Sequence, residues 1–281
     1  MSLFLSAAAV SIACSVCLIV FPVSAAQPAS WSAPHAPVRL GERTWYVGTA
    51  GISVLVVRGE AGSILLDTGV PASAEAVLAN LDAVGVRPED VKAIVTSHAH
   101  ADHVGAIAAI RARTGARVHA LEASASLLAD GGRNDLFFGD DLPYPPAEVD
   151  VRIGDGDAVT VGDVSLRAHA TPGHTPGSTT WTWADTVEGK PVTMVFADSL
   201  TAPGYRLVDD PRAADTVAQF RRAFATLRAL PCDVLVTPHP EASGLFERIE
   251  AGTLIDATAC ARYADRTEAA LDAQIAKQAA E

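Results

Sequence analysis

From Arg43 onward, short apolar runs bounded by glycine alternate with stretches whose apolar residues recur at helical spacing, the rhythm of a layered α/β chain. Residues 44–48, 53–58 and 63–66 predict closely spaced strands, with glycine turns at Gly51 and 59–62 between them. Pro71 opens a helix whose stripe is Ala76, Val77, Leu81 and Val84, and Gly85 ends it. The β-branched run 91–96 predicts a buried strand. Val104, Ile107 and Ile110 then predict a helix that stops at Gly115. Further strands are expected at 117–120, 149–153, 158–161, 164–170, 178–183, 192–197 and 233–237. Helices are expected through Leu127 and Leu128, along the stripe Val217, Phe220, Phe224 and Leu227, and over the Ala-rich stretch 254–280. Between them, the loop 131–146 holds Phe137, Phe138 and Tyr144, and reads either as a substrate wall or as ordinary packing.

Residues 1–26 contain no Lys or Arg, are almost wholly apolar from Ala7 to Val23, and end in Ser24-Ala25-Ala26. This is the composition of a secretory signal peptide, although the usual basic amino-terminal region is missing. A permanent anchor is the competing reading, but the run is short for a bilayer span and ends in small residues. Cys14 and Cys17 form a C-x-x-C that carries no evident role inside such a leader, and a lipoprotein signal is weak because Ser11 stands where a Leu is wanted. The expectation is export to the periplasm, cleavage near residue 26, no membrane association afterwards, and a single domain over 27–281. Charge narrows the partners. A formal net charge of −12 and only three lysines oppose binding to nucleic acid or anionic membranes. A monomer acting on a small molecule is the expectation.

The chemistry concentrates in Ser97-His98-Ala99-His100-Ala101-Asp102-His103-Val104-Gly105. Histidines separated by one residue point the same way in extended chain, so His98 and His100 can hold one metal ion. Asp102 and His103 fall where the loop turns into a helix and can face a second ion. A solvated turn explains one histidine, but this density of N and O ligands is a zinc signature. His174, in the rigid turn Thr171-Pro172-Gly173-His174-Thr175-Pro176-Gly177, can supply a third nitrogen to the first ion. Pro238-His239-Pro240 fixes another histidine at a strand end. His35, His119 and His169 lack such settings. Asp67, followed by Thr68-Gly69, reads as turn chemistry or as a partner standing behind the metals. Cys232 and Cys260 remain once the leader is gone and suggest a disulfide worth about 3 kcal/mol on the chain-entropy estimate. A thiolate metal ligand is the weaker alternative, because neither lies in a strand-end turn beside the histidines.

In order and context these residues resemble the metallo-β-lactamase superfamily, and most closely the third subclass of class B β-lactamases. The resemblance rests on 97–103, on Trp181-Thr182-Trp183, on Phe196-Ala197-Asp198-Ser199-Leu200-Thr201-Ala202-Pro203-Gly204-Tyr205, and on Leu230-Pro231-Cys232-Asp233 with Thr237-Pro238-His239-Pro240. It implies an αββα four-layer sandwich and two Zn²⁺ per chain, the first held by His98, His100 and His174, the second by Asp102, His103 and His239. It further implies hydrolysis of the β-lactam amide of penicillins, cephalosporins and carbapenems by a zinc-bound hydroxide, an antibiotic-resistance activity. Asp102 would orient the nucleophile, and Ser199 and Thr201 would hold the substrate carboxylate. One ambiguity persists. Thioester hydrolases of the same superfamily bridge their metals with an aspartate near the position of Asp198, so thioester or lactone hydrolysis is the alternative. A nuclease of the superfamily fits the acidic surface poorly, and a noncatalytic zinc module would need closed coordination.

Overall fold

The computed structural model describes residues 27–281; the expected leader, with Cys14 and Cys17, lies outside the described residues. Two sheets face each other. The first, in chain order throughout, consists of β1 (Val38–Arg39), β2 (Thr44–Tyr46), β3 (Leu55–Gly59), β4 (Gly62–Leu66), β5 (Val91–Val95), β6 (Arg117–Leu121) and β7 (Val151–Ile153). It starts antiparallel and becomes parallel from β4 onward. The second runs β12-β11-β10-β9-β8, from β8 (Ala158–Val161), β9 (Val164–Ala170), β10 (Thr179–Val187), β11 (Lys190–Phe196) and β12 (Val234–Val236). Its meander is antiparallel, and β12 joins β11 in parallel.

Both faces of the central strands are buried, which is why they read as continuous apolar runs rather than as alternation. Ile64, Leu66, Ala93, Val95, Met194, Phe196, Val234 and Val236 point inward and meet between the sheets, around the fully buried Trp181. The intervening Leu65 and Ile94 face outward to helices α1 (Ala74–Ala83), α2 (Ala101–Val104), α3 (Ile107–Thr114) and α4 (Glu122–Ala129). On the other side, Val195 and Leu235 pack under α5 (Thr216–Ala229), with the short α6 (Pro240–Ser243) and α7 (Leu245–Glu250) leading to α8 (Ala259–Ala279). Helix, sheet, sheet and helix thus stack as an αββα sandwich.

The departures from the sequence reading have local causes. Pro71 opens a one-turn 3-10 helix, and α1 begins only at Ala74, burying Leu78 as well as Val77 and Leu81. The helix expected from Val104 is two pieces, broken at Gly105 and Ala106. The last helix starts at Ala259 rather than at Leu254. Leu254 and Ile255 instead pack against the inter-sheet core, and Asp256 accepts hydrogen bonds from the Thr258 amide (2.9 Å) and hydroxyl (2.7 Å) just ahead of the helix. Helix α8 packs against α5. Arg221 and Arg228 of α5 meet Glu268 between them.

Cys232, just ahead of β12, and Cys260, in the first turn of α8, form a disulfide across 28 residues of chain. It ties the layer of α5 and α8 to the sheet edge from which His239 projects. Cys232→Ser is expected to lower unfolding stability by about 3 kcal/mol. Urea denaturation of the oxidised parent and the variant checks this, and turnover at 25 °C should change little because neither sulfur reaches the site.

Candidate metal centre

The candidate ligands all leave the carboxyl ends of strands, where the two sheets open into one groove. After β5 the chain bends at Ser97 and is extended again at His100 (φ −90°, ψ 156°), and donor atoms of His98 and His100 come within 4.8 Å of each other. The single turn of α2 then swings Asp102 and His103 back toward them. That turn is pinned from beside: the His103 carbonyl accepts the amides of Thr68 (2.8 Å) and Gly69 (3.0 Å). Its tightness demands Gly105, where a Cβ would lie 2.2 Å from the Ala101 carbonyl oxygen and 2.3 Å from Pro71 Cδ. His174 comes from the turn after β9 and His239 from the turn after β12.

Each ring of the first trio is held by its outer nitrogen. His98 Nδ1 lies 2.7 Å from Asp198 Oδ1, His174 Nδ1 donates to the Thr201 carbonyl at 2.7 Å, and His100 Nε2 lies 3.1 Å from Asp135 Oδ2. The Thr201 carbonyl only accepts, and the His100 hydrogen bond, working against burial, holds the Asp135 carboxyl down to about 2, so His174 and His100 carry their protons on these outer nitrogens, while His98 and the buried Asp198 form a paired acid and imidazole. The inner nitrogens of His100 and His174 are therefore bare lone pairs. His98 Nε2 is buried with no partner, and His100 Nδ1 faces His174 Nε2 at 3.1 Å with no proton to share. Two lone pairs at that distance repel unless a cation lies between them. Ligands about 2.0–2.1 Å from a tetrahedral zinc stand roughly 3.3 Å apart, so the His100–His174 pair is spaced for such an ion, with a His98 nitrogen within 4.8 Å of both.

A second group gathers beside it. Asp102 Oδ2 lies 3.0 Å from His103 Nε2 and 3.2 Å from His239 Nε2, and both ring nitrogens of the buried His103 lack a hydrogen bond. Donor atoms of His98, His100 and His174, and likewise of His98, Asp102 and His103, come within 4.8 Å of one another. His239 falls outside both of these compact groups and joins through Asp102. With its side chain 23% exposed it is the most open of the six, and Asp102, at 14%, lies beside it on the groove. The structure thus brings together all six expected ligands. Ser199 is buried and Thr201 exposed at the start of the segment after β11, where the Thr201 carbonyl already serves His174.

Burial sets the protonation of the metal-free cluster. It holds His98 well below the usual histidine range, with the neighbouring imidazoles adding to the effect, and brings His174 down to about 3. Burial also lowers His103, against the pull of Asp102. For Asp102 burial works upward but is outweighed by His103 and His239, which keep the carboxylate well below its ordinary range. His239 moves the other way: burial lowers it, yet the Asp102 hydrogen bond and charge prevail and raise it. Burial thus favours neutral rings at His98, His103 and His174 beside an anionic Asp102, whereas His239 must give up its more firmly held proton to a cation.

Three acids behind the ligands were faint or silent in the sequence. Asp67, in the left-handed region (φ 59°), is fully buried and accepts from the Ser97 amide (2.7 Å) and hydroxyl (2.6 Å), with its Oδ2 3.8 Å from His103 Nδ1. Its left-handed turn matches the turn reading, its side chain holds the ligand loop through Ser97 rather than bonding His103, and burial raises its carboxyl to about 8. Asp198 stands behind His98, not beside the donor groups, and burial raises it well above the usual range. Asp135 had no signal beyond lying in the aromatic loop. Trp31, also silent, rests against His239 with ring centroids 5.3 Å apart. Its segment is clamped there: the Trp31 carbonyl accepts the Thr49 hydroxyl at 2.9 Å, and that of Ser30 accepts the Gly51 amide at 2.8 Å. His35 stacks on Phe246, His169 bonds Thr182, and His119 is half-buried, so none of the three contributes a ligand. A cavity of about 680 Å³ between residues 39–42 and the β10–β11 turn lies at the far end of the strands and contains no candidate ligand.

Strand-end histidines and an aspartate opening into the groove of an αββα sandwich define a metal-dependent hydrolase. The chain belongs to the metallo-beta-lactamase superfamily, whose family model matches residues 47–239. Among solved structures it is similar to BJP-1, a subclass B3 metallo-beta-lactamase of Bradyrhizobium japonicum, at 36% identity and a TM-score of 0.84 over 90% of this chain and 98% of that one. It is also similar to the metallo-beta-lactamase MIM-1 from Novosphingobium pentaromativorans, at 38% identity and a TM-score of 0.83 over 89% and 93%. Among curated proteins it is 37% identical to a hydroxyacylglutathione hydrolase of Anaeromyxobacter dehalogenans over 130 residues, which are 46% of this chain and 40% of that protein. The chain thus spans less than half the length of that relative. Among the described residues no helix is long and apolar enough to cross a membrane.

The depressed histidines predict an acid signature for the metal-free protein. The unfolded chain takes up protons at these positions below about pH 6.5, whereas folded His174 resists until about 3. Its share of stability is therefore complete above pH 6.5 and lost as pH falls toward 3. Melting of the chelated parent and of His174→Gln between pH 7.5 and 4 checks this: the advantage of the parent should shrink steadily on acidification.

Proposed function

We propose that this chain is a zinc-dependent β-lactamase that opens the amide of penicillins, cephalosporins and carbapenems. The observation that carries the reading is the convergence of the inner nitrogens of His98, His100 and His174, each ring held from behind at its outer nitrogen. We assign a first zinc to that trio and a second to Asp102, His103 and His239. When bound, such ions act as Lewis acids toward a carbonyl oxygen and bring the pKa of water near neutrality. The chain supplies the rest. Asp102 stays ionised on the groove side, where its free carboxylate oxygen can accept a proton and fix the direction of attack. Neutral imidazoles outnumber the lone carboxylate among the ligands, so a loaded centre is positive and draws an anionic drug into an acidic protein. Ser199 and Thr201 are assigned to the substrate carboxylate. Cleavage of the expected leader at 1–26, a single domain over 27–281 and a periplasmic location complete the proposal.

Hydroxyacylglutathione hydrolases among the curated relatives make thioester hydrolysis the second reading. Two observations favour the lactamase. The subclass B3 likeness extends over about nine-tenths of this chain, and Asp198 spends its Oδ1 on His98 from behind, away from the donor groups a bridging carboxylate would join.

A panel of a penicillin, a cephalosporin, a carbapenem and a glutathione thioester, assayed with and without chelator, tests the proposal. Expected are β-lactam opening, its abolition by chelator, and indifference to inhibitors that acylate serine. Thioester cleavage without any β-lactam opening would reverse the ranking. His100→Ala should lose more than the roughly 10–100-fold that follows removal of an outer partner, because it deletes a direct ligand. Metal content measured on the same samples would fall with it.

A further inference from the structure

The loop 131–146 is folded around one carboxylate. Asp135 Oδ1 accepts the amides of Phe137 (2.9 Å) and Phe138 (2.8 Å), and the Asp135 and Gly139 backbones pair in both directions at 3.0 Å. The other oxygen, Oδ2, leaves the loop altogether and lies 3.1 Å from His100 Nε2, with both side chains only 7% exposed. The turn so closed sets Phe138 edge-on against the His100 ring, centroids 5.4 Å apart, and stacks Phe137 on Tyr205 at 3.8 Å. Tyr205 in turn donates its hydroxyl to the His174 carbonyl at 2.7 Å. Two of the three first-site histidines are therefore gripped by this one wall.

We propose that Asp135 is a positioning residue that ties the aromatic loop to His100, so that metal uptake by His98, His100 and His174 and ordering of the groove wall are one event. The inference rests on the metal reading given above. His100 meets the ion through Nδ1 only if its proton resides on Nε2, and the Asp135 carboxylate is what keeps it there. Conversely, an ion that fixes the His100 ring fixes the acceptor on which the Phe137 and Phe138 amides close. Coupling of this kind is reciprocal, so whatever loosens the loop weakens the metal by the same factor.

Asp135→Asn separates the two tasks. Its amide oxygen can still cap Phe137 and Phe138, but its NH₂ then faces His100 Nε2 and favours the tautomer protonated on Nδ1, the nitrogen aimed at the ion. The expected result is a zinc affinity at one site lower by roughly 10–100-fold in competition with a chromophoric chelator, while a chelated sample melts like the parent. Asp135→Ala, which loses the cap as well, should be at least as weak. Hydrogen exchange gives a readout that needs no variant: the amides of Phe137 and Phe138 in the parent should become more protected when zinc is added. Parent-like affinity in Asp135→Asn, or protection that ignores zinc, would overturn the coupling while leaving the metal site standing. A parent that takes up no zinc would overturn both.

Discussion

Everything in this protein turns on a repulsion that the fold maintains on purpose. Three imidazoles are pressed together, the lone pairs of His100 and His174 facing each other, and each ring is denied the chance to turn away by a partner that holds its outer nitrogen. Buried polar atoms without partners are costly, and proteins keep few of them. His98 and His103 carry three such atoms side by side, a cost that falls away once a cation arrives.

The sandwich is the device that applies this pressure. A strand end is rigid only if the strand is, and the strands that aim the ligands are covered on both faces. β5 lies between Ile94 and the helices on one side and Val95 and the second sheet on the other. Trp181 bridges the layers directly, donating its indole N–H to the Thr96 carbonyl at 3.0 Å, one residue before the ligand loop begins. The Ser97 carbonyl then takes the Thr179 amide at 2.7 Å, so the two sheets are stitched beneath His98. Precision at the site is thus inherited from packing well below it.

How much of this could be read from the residues follows the range of the interactions. The ligand loop was legible because four side chains of one chemistry lie within six positions, and His174 and His239 because each is locked beside proline at a strand end. The sandwich itself came through resemblance; runs such as 63–66 and 192–197 establish strands but not which sheet receives them. Asp135 and Asp198 were illegible as partners, and Asp67 only one of two readings, because acid and histidine meet only when distant segments close, 100 residues apart for Asp198 and His98. Helix starts failed for a different reason. Leu254 and Ile255 carry helical-looking apolarity, yet they fill the margin of the inter-sheet core, and the chain turns at Asp256, which holds Thr258, before α8 begins.

Trp31 gives the molecule something its catalysis does not require. Of the four tryptophans, Trp181 and Trp183 are sealed between the sheets, and Trp45 packs against the outer core, while Trp31 alone touches a candidate ligand ring. Indole emission is quenched by a neighbouring imidazolium, and Asp102 outweighs burial to favour the protonated form of His239. The ultraviolet fluorescence of the untouched protein is therefore a gauge of what occupies the outer half of the centre, legible without dye or label.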